Sequence, residues 1–229
     1  MTFTDALLFL KAVYGAAFTP ATDETRRATM AAIAAAEARL GITLPATLRA
    51  LYVETGQVEA LHQRHNRLLP LAQIDVAGEY VVFYEENQGV VVWGVAKAAL
   101  ASGALVDDLP VAQGYEDATM PGGWAFHSEF ASVAEFMCAQ GAWQAVQGGL
   151  PFVGAMHKAA DELGWDSDAA PDFVSDGLRA WLVADGVAIA AGDTYVGLAT
   201  HHADTFAAAS ERGGIDVDCW SYATVTDDE

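Results

Sequence analysis

Residues 80–95 read YVVFYEENQGVVVWGV. Two runs of β-branched and aromatic residues flank Glu86-Asn87-Gln88-Gly89, and such runs favour strands. Asn87 and Gly89 on either side of one residue suit a tight hairpin loop with Gly89 in the left-handed conformation. The pattern predicts antiparallel strands at 80–86 and 89–95, and the rest of the chain has to be read around them.

Before the hairpin the apolar spacing is helical. Leu7, Leu10 and Tyr14 mark a helix over 4–15. Asp23 is the expected N-cap of a long helix that closes at Leu40 with Gly41 as its C-terminal cap. Leu44-Pro45 restarts a helix, Leu48, Leu51 and Tyr52 form its buried stripe, and Gly56 ends it. Residues 68–74 (LLPLAQI) read as a strand. After the hairpin a short strand is expected around Val111, and Gly122-Gly123-Trp124 reads as a turn into a buried tryptophan. Ser132 and Glu135 form a capping box opening a helix over 133–146, which Gly148-Gly149 closes.

The last third has a different texture. Phe152, Met156 and Leu163 suggest a helix over 151–163, and 166–172 (DSDAAPD) reads as loop. Strands are expected at 180–184, 187–191 and 194–199, with turns at Asp185-Gly186 and Gly192-Asp193. A helix over 202–211, a strand over 215–222 and a frayed tail from Thr224 complete the pattern. Trp181, Val187, Ile189, Val196 and Leu198 need a cover, so 151–229 is expected to pack on the first part rather than stand alone.

Charge narrows the partners. The 229 residues carry 31 acids against 11 lysines and arginines, a formal net charge of −20. Phosphate-directed nucleic-acid binding needs a basic patch that so few cations cannot supply. An anionic membrane surface repels such a chain as well. The expected charged partner is a basic protein, or there is none. No apolar run approaches a membrane span, and the start MTFTDALLFLK is too short for a signal peptide, which points to the cytoplasm.

Motifs that would carry chemistry are sparse. His62 and His65 are spaced to share a helical face, but no third ligand lies nearby, so no metal is expected. His201-His202 are adjacent and point apart. The acid pairs Asp107-Asp108, Glu116-Asp117 and Asp216/Asp218 fit general acid–base work by type, yet such pairs arise by chance among 31 acids. No nucleophile elbow, phosphate loop or HExxH is present. Two cysteines supply no disulfide framework, and Cys138 beside Met137 reads as a core thiol. No catalytic residue and no cofactor is expected.

One ordered set of segments carries a likeness. A helix ends in Leu40-Gly41-Ile42, then come Leu44-Pro45, Leu48-Arg49-Ala50-Leu51-Tyr52 and Leu69-Pro70-Leu71. Phe83-Tyr84-Glu85-Glu86-Asn87-Gln88-Gly89, Trp93-Gly94-Val95, Asp108-Leu109-Pro110-Val111 and a helix led by Phe130 and Phe136 follow. Over residues 24–147 this resembles the SUKH superfamily, with Leu109 standing where many relatives carry a second proline. The resemblance implies an α+β domain with a mixed, mainly antiparallel sheet flanked by helices. That places a SUKH-like domain at 1–150 and an α/β extension at 151–229. It also implies a non-enzymatic binding role, with immunity proteins that neutralise a toxin, often a nuclease, as the leading case. A regulatory or scaffolding protein, and a small enzyme whose site is built by the extension, are the alternatives. In this reading Pro45, Asn87, Gly89, Trp93 and Pro110 are structural, and Tyr84, Glu85, Glu86 and Gln88 face the partner.

Overall fold

The computed structural model describes residues 1–100, 105–158, 173–175, 178–184, 186–192 and 194–224. In chain order its helices are α1 (Phe3–Tyr14), α2 (Asp23–Leu40), α3 (Ala46–Thr55), α4 (Glu59–His62), α5 (Lys97–Leu100), α6 (Val133–Gln144) and α7 (Ala203–Arg212). Its strands are β1 (Arg67–Leu68), β2 (Asp75–Ala77), β3 (Tyr80–Glu85), β4 (Val91–Ala96), β5 (Val111–Glu116) and β6 (Trp124–Phe130) in the first half. β7 (Phe152–Met156), β8 (Phe173–Ser175), β9 (Leu178–Ala184), β10 (Val187–Ala191), β11 (Val196–Thr200) and β12 (Tyr222–Ala223) follow. The class is α+β, with antiparallel sheets and flanking helices. No helix among the described residues is long and apolar enough to cross a membrane.

Contacts divide the chain into two units: residues 1–3 with 19–137, and 4–18 with 138–229. The sequence suggested a boundary near 150, whereas the contacts change hands inside α6 and assign α1 to the C-terminal part.

In the first unit the sheet runs β1-β3-β4-β5-β6, with β2 also against β3. Phe136 of α6 is the hub of its core. Its ring meets Phe83, Tyr84 and Phe130 edge-on, with centroids 5.3, 5.1 and 5.3 Å away. Trp93 lies 6.0 Å away in a tilted arrangement. Offset and edge-on contacts of this kind suit aromatic quadrupoles. Tyr52 ties α3 to the sheet by donating its hydroxyl to the Leu69 carbonyl at 2.7 Å. Pro45 is the N-cap of α3, and the amides of Ala46 and Thr47 donate to the carbonyls of Val106 and Asp107. Gly41 closes α2 at φ 66°.

Several local expectations change. Thr22, not Asp23, caps α2, its Oγ1 accepting from the Thr25 amide at 3.1 Å, and Asp23 is the first helical residue. Of the run 68–74 only Leu68 is in a strand and Leu69 adds one bond, its amide to the Phe83 carbonyl; the chain then turns, with the Gln73 amide on the Pro70 carbonyl, because Pro70 has no N–H to extend a ladder. Trp124 is half-buried and begins a strand rather than leading into the core.

In the second unit the strands run β12-β7-β11-β10-β9-β8. Residues 152–156, expected as helix, form β7, paired with both β11 and β12. Gly154 explains the placement: a Cβ there would stand 2.6 Å from Phe206 and 3.0 Å from Trp220, so the strand must lack a side chain where those rings cross it. Residues 215–222, expected as strand, contain a 3-10 turn at Val217–Cys219, because Asp216 accepts from the Asp218 amide, and only Tyr222–Ala223 pairs. The cover for Val187, Ile189, Val196 and Leu198 includes Phe206 of α7, with Trp220 and Ile215 in the same cluster. The loop expected at 166–172, the end of the helix expected to Leu163, and the tail beyond Thr224 lie outside the described residues.

Candidate functional site

The hairpin forms as the sequence indicates, with strands one or two residues offset. Glu86 N–H donates to the Val91 carbonyl at 2.8 Å and Gly89 N–H to the Glu86 carbonyl at 2.9 Å, with Gly89 at φ 72°. The Glu86 carboxylate folds back to accept from the Gln88 amide at 3.2 Å. Asn87, Gln88, Gly89 and Val90 are exposed.

Register brings a second loop to the same place. Val91 pairs with Tyr115, so the start of β4 adjoins the end of β5, and the 117–123 connection emerges at the same end of the sheet as 86–90. β1 arrives there too, Arg67 opposite Glu85. This end therefore carries the carboxylates Glu85, Glu86, Glu116 and Asp117. It also carries three exposed large apolar side chains: Val90 (60%), Tyr115 (45%) and Met120 (45%). Sequence reasoning missed those three. The signal for Val90 was an apolar residue directly after the turn glycine; Tyr115 and Met120 needed the register.

The residues expected to face a partner separate. Gln88 is exposed and Glu86 half-exposed. Glu85 is committed to an ion pair with Arg67. Tyr84 corrects the expectation: it is 1% exposed, stacked edge-on against Phe136 and Trp93, because the register irregularity between Val82 and Tyr84 turns it into the core. Trp93 is a core residue whose Nε1 donates to Glu129 Oε2 at 2.6 Å. Pro110 is exposed just before β5.

In each of the three acid pairs one carboxylate holds backbone. Asp108 accepts from the amides of Leu109 and Val133 at 2.8 and 2.9 Å. Asp117 accepts from the amide and hydroxyl of Thr119, which hold its carboxyl below the usual range. Asp216 caps its own short turn.

His62 and His65 do not act together. Thr55 Oγ1 donates its proton to the Leu51 carbonyl at 2.7 Å, so its oxygen accepts from His62 Nε2 at 2.8 Å. Burial lowers the His62 pKa to about 3. His65 lies at the hairpin, its Nδ1 3.4 Å from Asn87 Nδ2. Among the described residues no three His, Cys, Asp or Glu side chains gather as a metal site. In the second unit a recess of about 650 Å³ is lined by Lys11, Gly15, Gly186, His201, His202 and Thr205. His201 Nε2 donates to the Val13 carbonyl at 3.0 Å there.

Compared with known proteins, the chain matches no family model, no curated sequence and no solved structure. None of these comparisons identifies a SUKH family.

Proposed function

We propose that this chain is a non-enzymatic binding protein that grips a basic protein partner with the hairpin end of its first sheet. In the cell it acts as a cytoplasmic immunity protein that occludes a toxin, with a nucleic-acid-cleaving toxin as the partner. The observation that carries this reading is the meeting of exposed Val90, Tyr115 and Met120 with Glu86, Glu116 and Asp117 at one end of one sheet. Apolar anchors supply the contact area, and a rim of one sign selects and steers the partner. A toxin that binds phosphates offers the complementary surface, and a net charge of −20 speeds the encounter.

The test begins with capture of the partner from the native lysate and its identification by mass spectrometry. Association is then followed against ionic strength. The double variant Glu86→Lys, Glu116→Lys is expected to associate more slowly at low salt and with a flatter salt dependence. Tyr115→Ala is expected to dissociate faster, at a cost of about 2 kcal/mol if it is an anchor. Co-expression should rescue cells from the captured toxin. Unchanged kinetics in both variants would move the interface away from this end, and failure to rescue would remove the immunity role.

A further inference from the structure

Among the described residues the outer strands of the two sheets are unequal. β1 and β2 have two and three residues, β12 has two and β8 three. Short edges of this kind resist pairing with other chains. β6 has seven residues, and among the described residues no strand pairs with its outer side. Trp124–Phe130 contains no lysine, arginine or proline. The register irregularity with β5, another edge-blunting device, falls at its far end, opposite Val111 and Ala112.

The groups on this edge follow from the ladder. Asp117 N–H donates to the Gly123 carbonyl at 2.9 Å, closing the β5–β6 hairpin. Antiparallel pairs alternate between bonded and non-bonded. From that bond, Ala125 and His127 face their partners Tyr115 and Gln113, and the N–H and C=O of Trp124, Phe126 and Ser128 point away from β5. His127 and Ser128 are exposed, and Trp124 and Phe126 half-buried. Tyr80 stacks on Phe126 with centroids 4.1 Å apart, and Gly114 leaves room for the Phe126 ring. Trp124 joins them, its ring 6.1 Å from Phe126. The edge thus combines free backbone groups with an aromatic ledge on one face.

We propose that the free edge of β6 takes an added antiparallel or parallel strand from the basic partner, one that alternates apolar and cationic residues. This deepens the binding role above and rests on it. Strand addition draws affinity from main-chain hydrogen bonds and specificity from alternate side chains. Apolar residues of the incoming strand lie against Trp124 and Phe126. Alternation turns its cations to the opposite face, where Glu129 lies beside Trp93 in line with Gln113 and His127. A second copy of this chain is the poorer occupant, because it brings −20 against −20.

The probe is a short peptide of alternating lysine and valine, with the same peptide methylated on its backbone nitrogens as control. Methylation keeps charge and side chains and removes the donors. The full chain should bind the unmethylated peptide, gain protection from hydrogen exchange at Phe126 and Ser128, and bind the methylated form at least roughly tenfold more weakly. Ser128→Pro removes one outward N–H from a position where an edge strand tolerates proline, and should weaken binding similarly, while Ser128→Ala should not. The methylated peptide leaves the protein untouched, so the test stands even if Ser128→Pro fails to fold. Equal binding of both peptides, absent protection, absent binding, or pairing of two copies through β6 in solution would overturn the inference. If Glu86→Lys, Glu116→Lys weakens binding to the captured partner while Ser128→Pro does not, strand addition falls and the binding role stands. If neither variant affects that partner, both fall.

Discussion

The imidazole of His62 is fully enclosed, with Nε2 held by Thr55 and Nδ1 buried without a hydrogen-bond partner among the described residues. Burial disfavours its charged form, taking its pKa from 6.5 to about 3. Below pH 6.5 the unfolded chain therefore takes up a proton that the folded chain refuses until about pH 3. Its contribution is fully present above pH 6.5 and is lost as pH falls through that window, by about 1.4 kcal/mol per unit. Between pH 6.5 and 5 the wild type should lose about 2 kcal/mol more stability than His62→Gln in urea unfolding; parallel pH profiles would show that the ring is charged or hydrated in the fold. The sequence offered His62 only as half of a metal pair, because burial is not visible in a spacing. Two glycines show the same division. Gly89 was legible because a turn between two strand runs needs a left-handed residue, and a Cβ there meets nothing within 4 Å, so Gly89→Ala should cost only the backbone strain, about 1 kcal/mol. Gly114 was not legible, since what forbids a side chain is the Phe126 ring 2.3 Å from its ideal Cβ.

Elements were readable where their signals are local. The opening of α6 was, since Glu135 N–H donates to Ser132 Oγ at 3.0 Å, and the Glu135 carboxylate reaches back to the Ala131 amide rather than that of Ser132. The helix start has another support that no local pattern announces: Asp108, 25 positions before Val133, accepts from its amide. Asp108→Ala should destabilise the fold by about 1–2 kcal/mol, as loss of a helix cap does, with Ser132→Ala similar. If urea midpoints for Asp108→Ala match the wild type, solvent replaces the carboxylate and the Ser132 cap suffices. β7 failed for a complementary reason. Its five residues are apolar at nearly every position, and a short apolar run does not distinguish strand from helix; the partners on both sides, 40 and more residues later, decide. At the candidate site the turn Glu86–Gly89 was local and legible. The arrival of Tyr115 and Met120 beside it depends on the β4–β5 register, as does the entry of Tyr84 into the core.

Across the whole molecule the hardest feature to read was which segments belong together. Tyr14 donates its hydroxyl to the Gly141 carbonyl at 2.8 Å, across 127 positions of sequence, and the Gly186 amide and His201 Nε2 donate to the carbonyls of Ala12 and Val13, so α1 groups with the C-terminal unit. Net charge, by contrast, was available from composition alone, and it has a consequence for the fold independent of any partner. If every lysine and arginine took one carboxylate, 31 − 11 = 20 acids would still lack a cation. The described ion pairs use Arg26, Arg49 and Arg67, at partly exposed positions where single pairs contribute little. Repulsion among the remaining carboxylates acts over the Debye length, about 30 Å at 0.01 M salt and about 8 Å at 0.15 M. It is stronger in the compact state, where the charges are closest. Raising sodium chloride between those two concentrations at pH 7.5 should therefore raise the melting temperature. Glu86→Lys, Glu116→Lys, which moves the net charge from −20 to −16, should show a smaller rise. A melting temperature that stays flat or falls with salt would mean that attractive pairs outweigh the general repulsion. The same carboxylates would then have to be arranged around cations more closely than a surplus of 20 suggests.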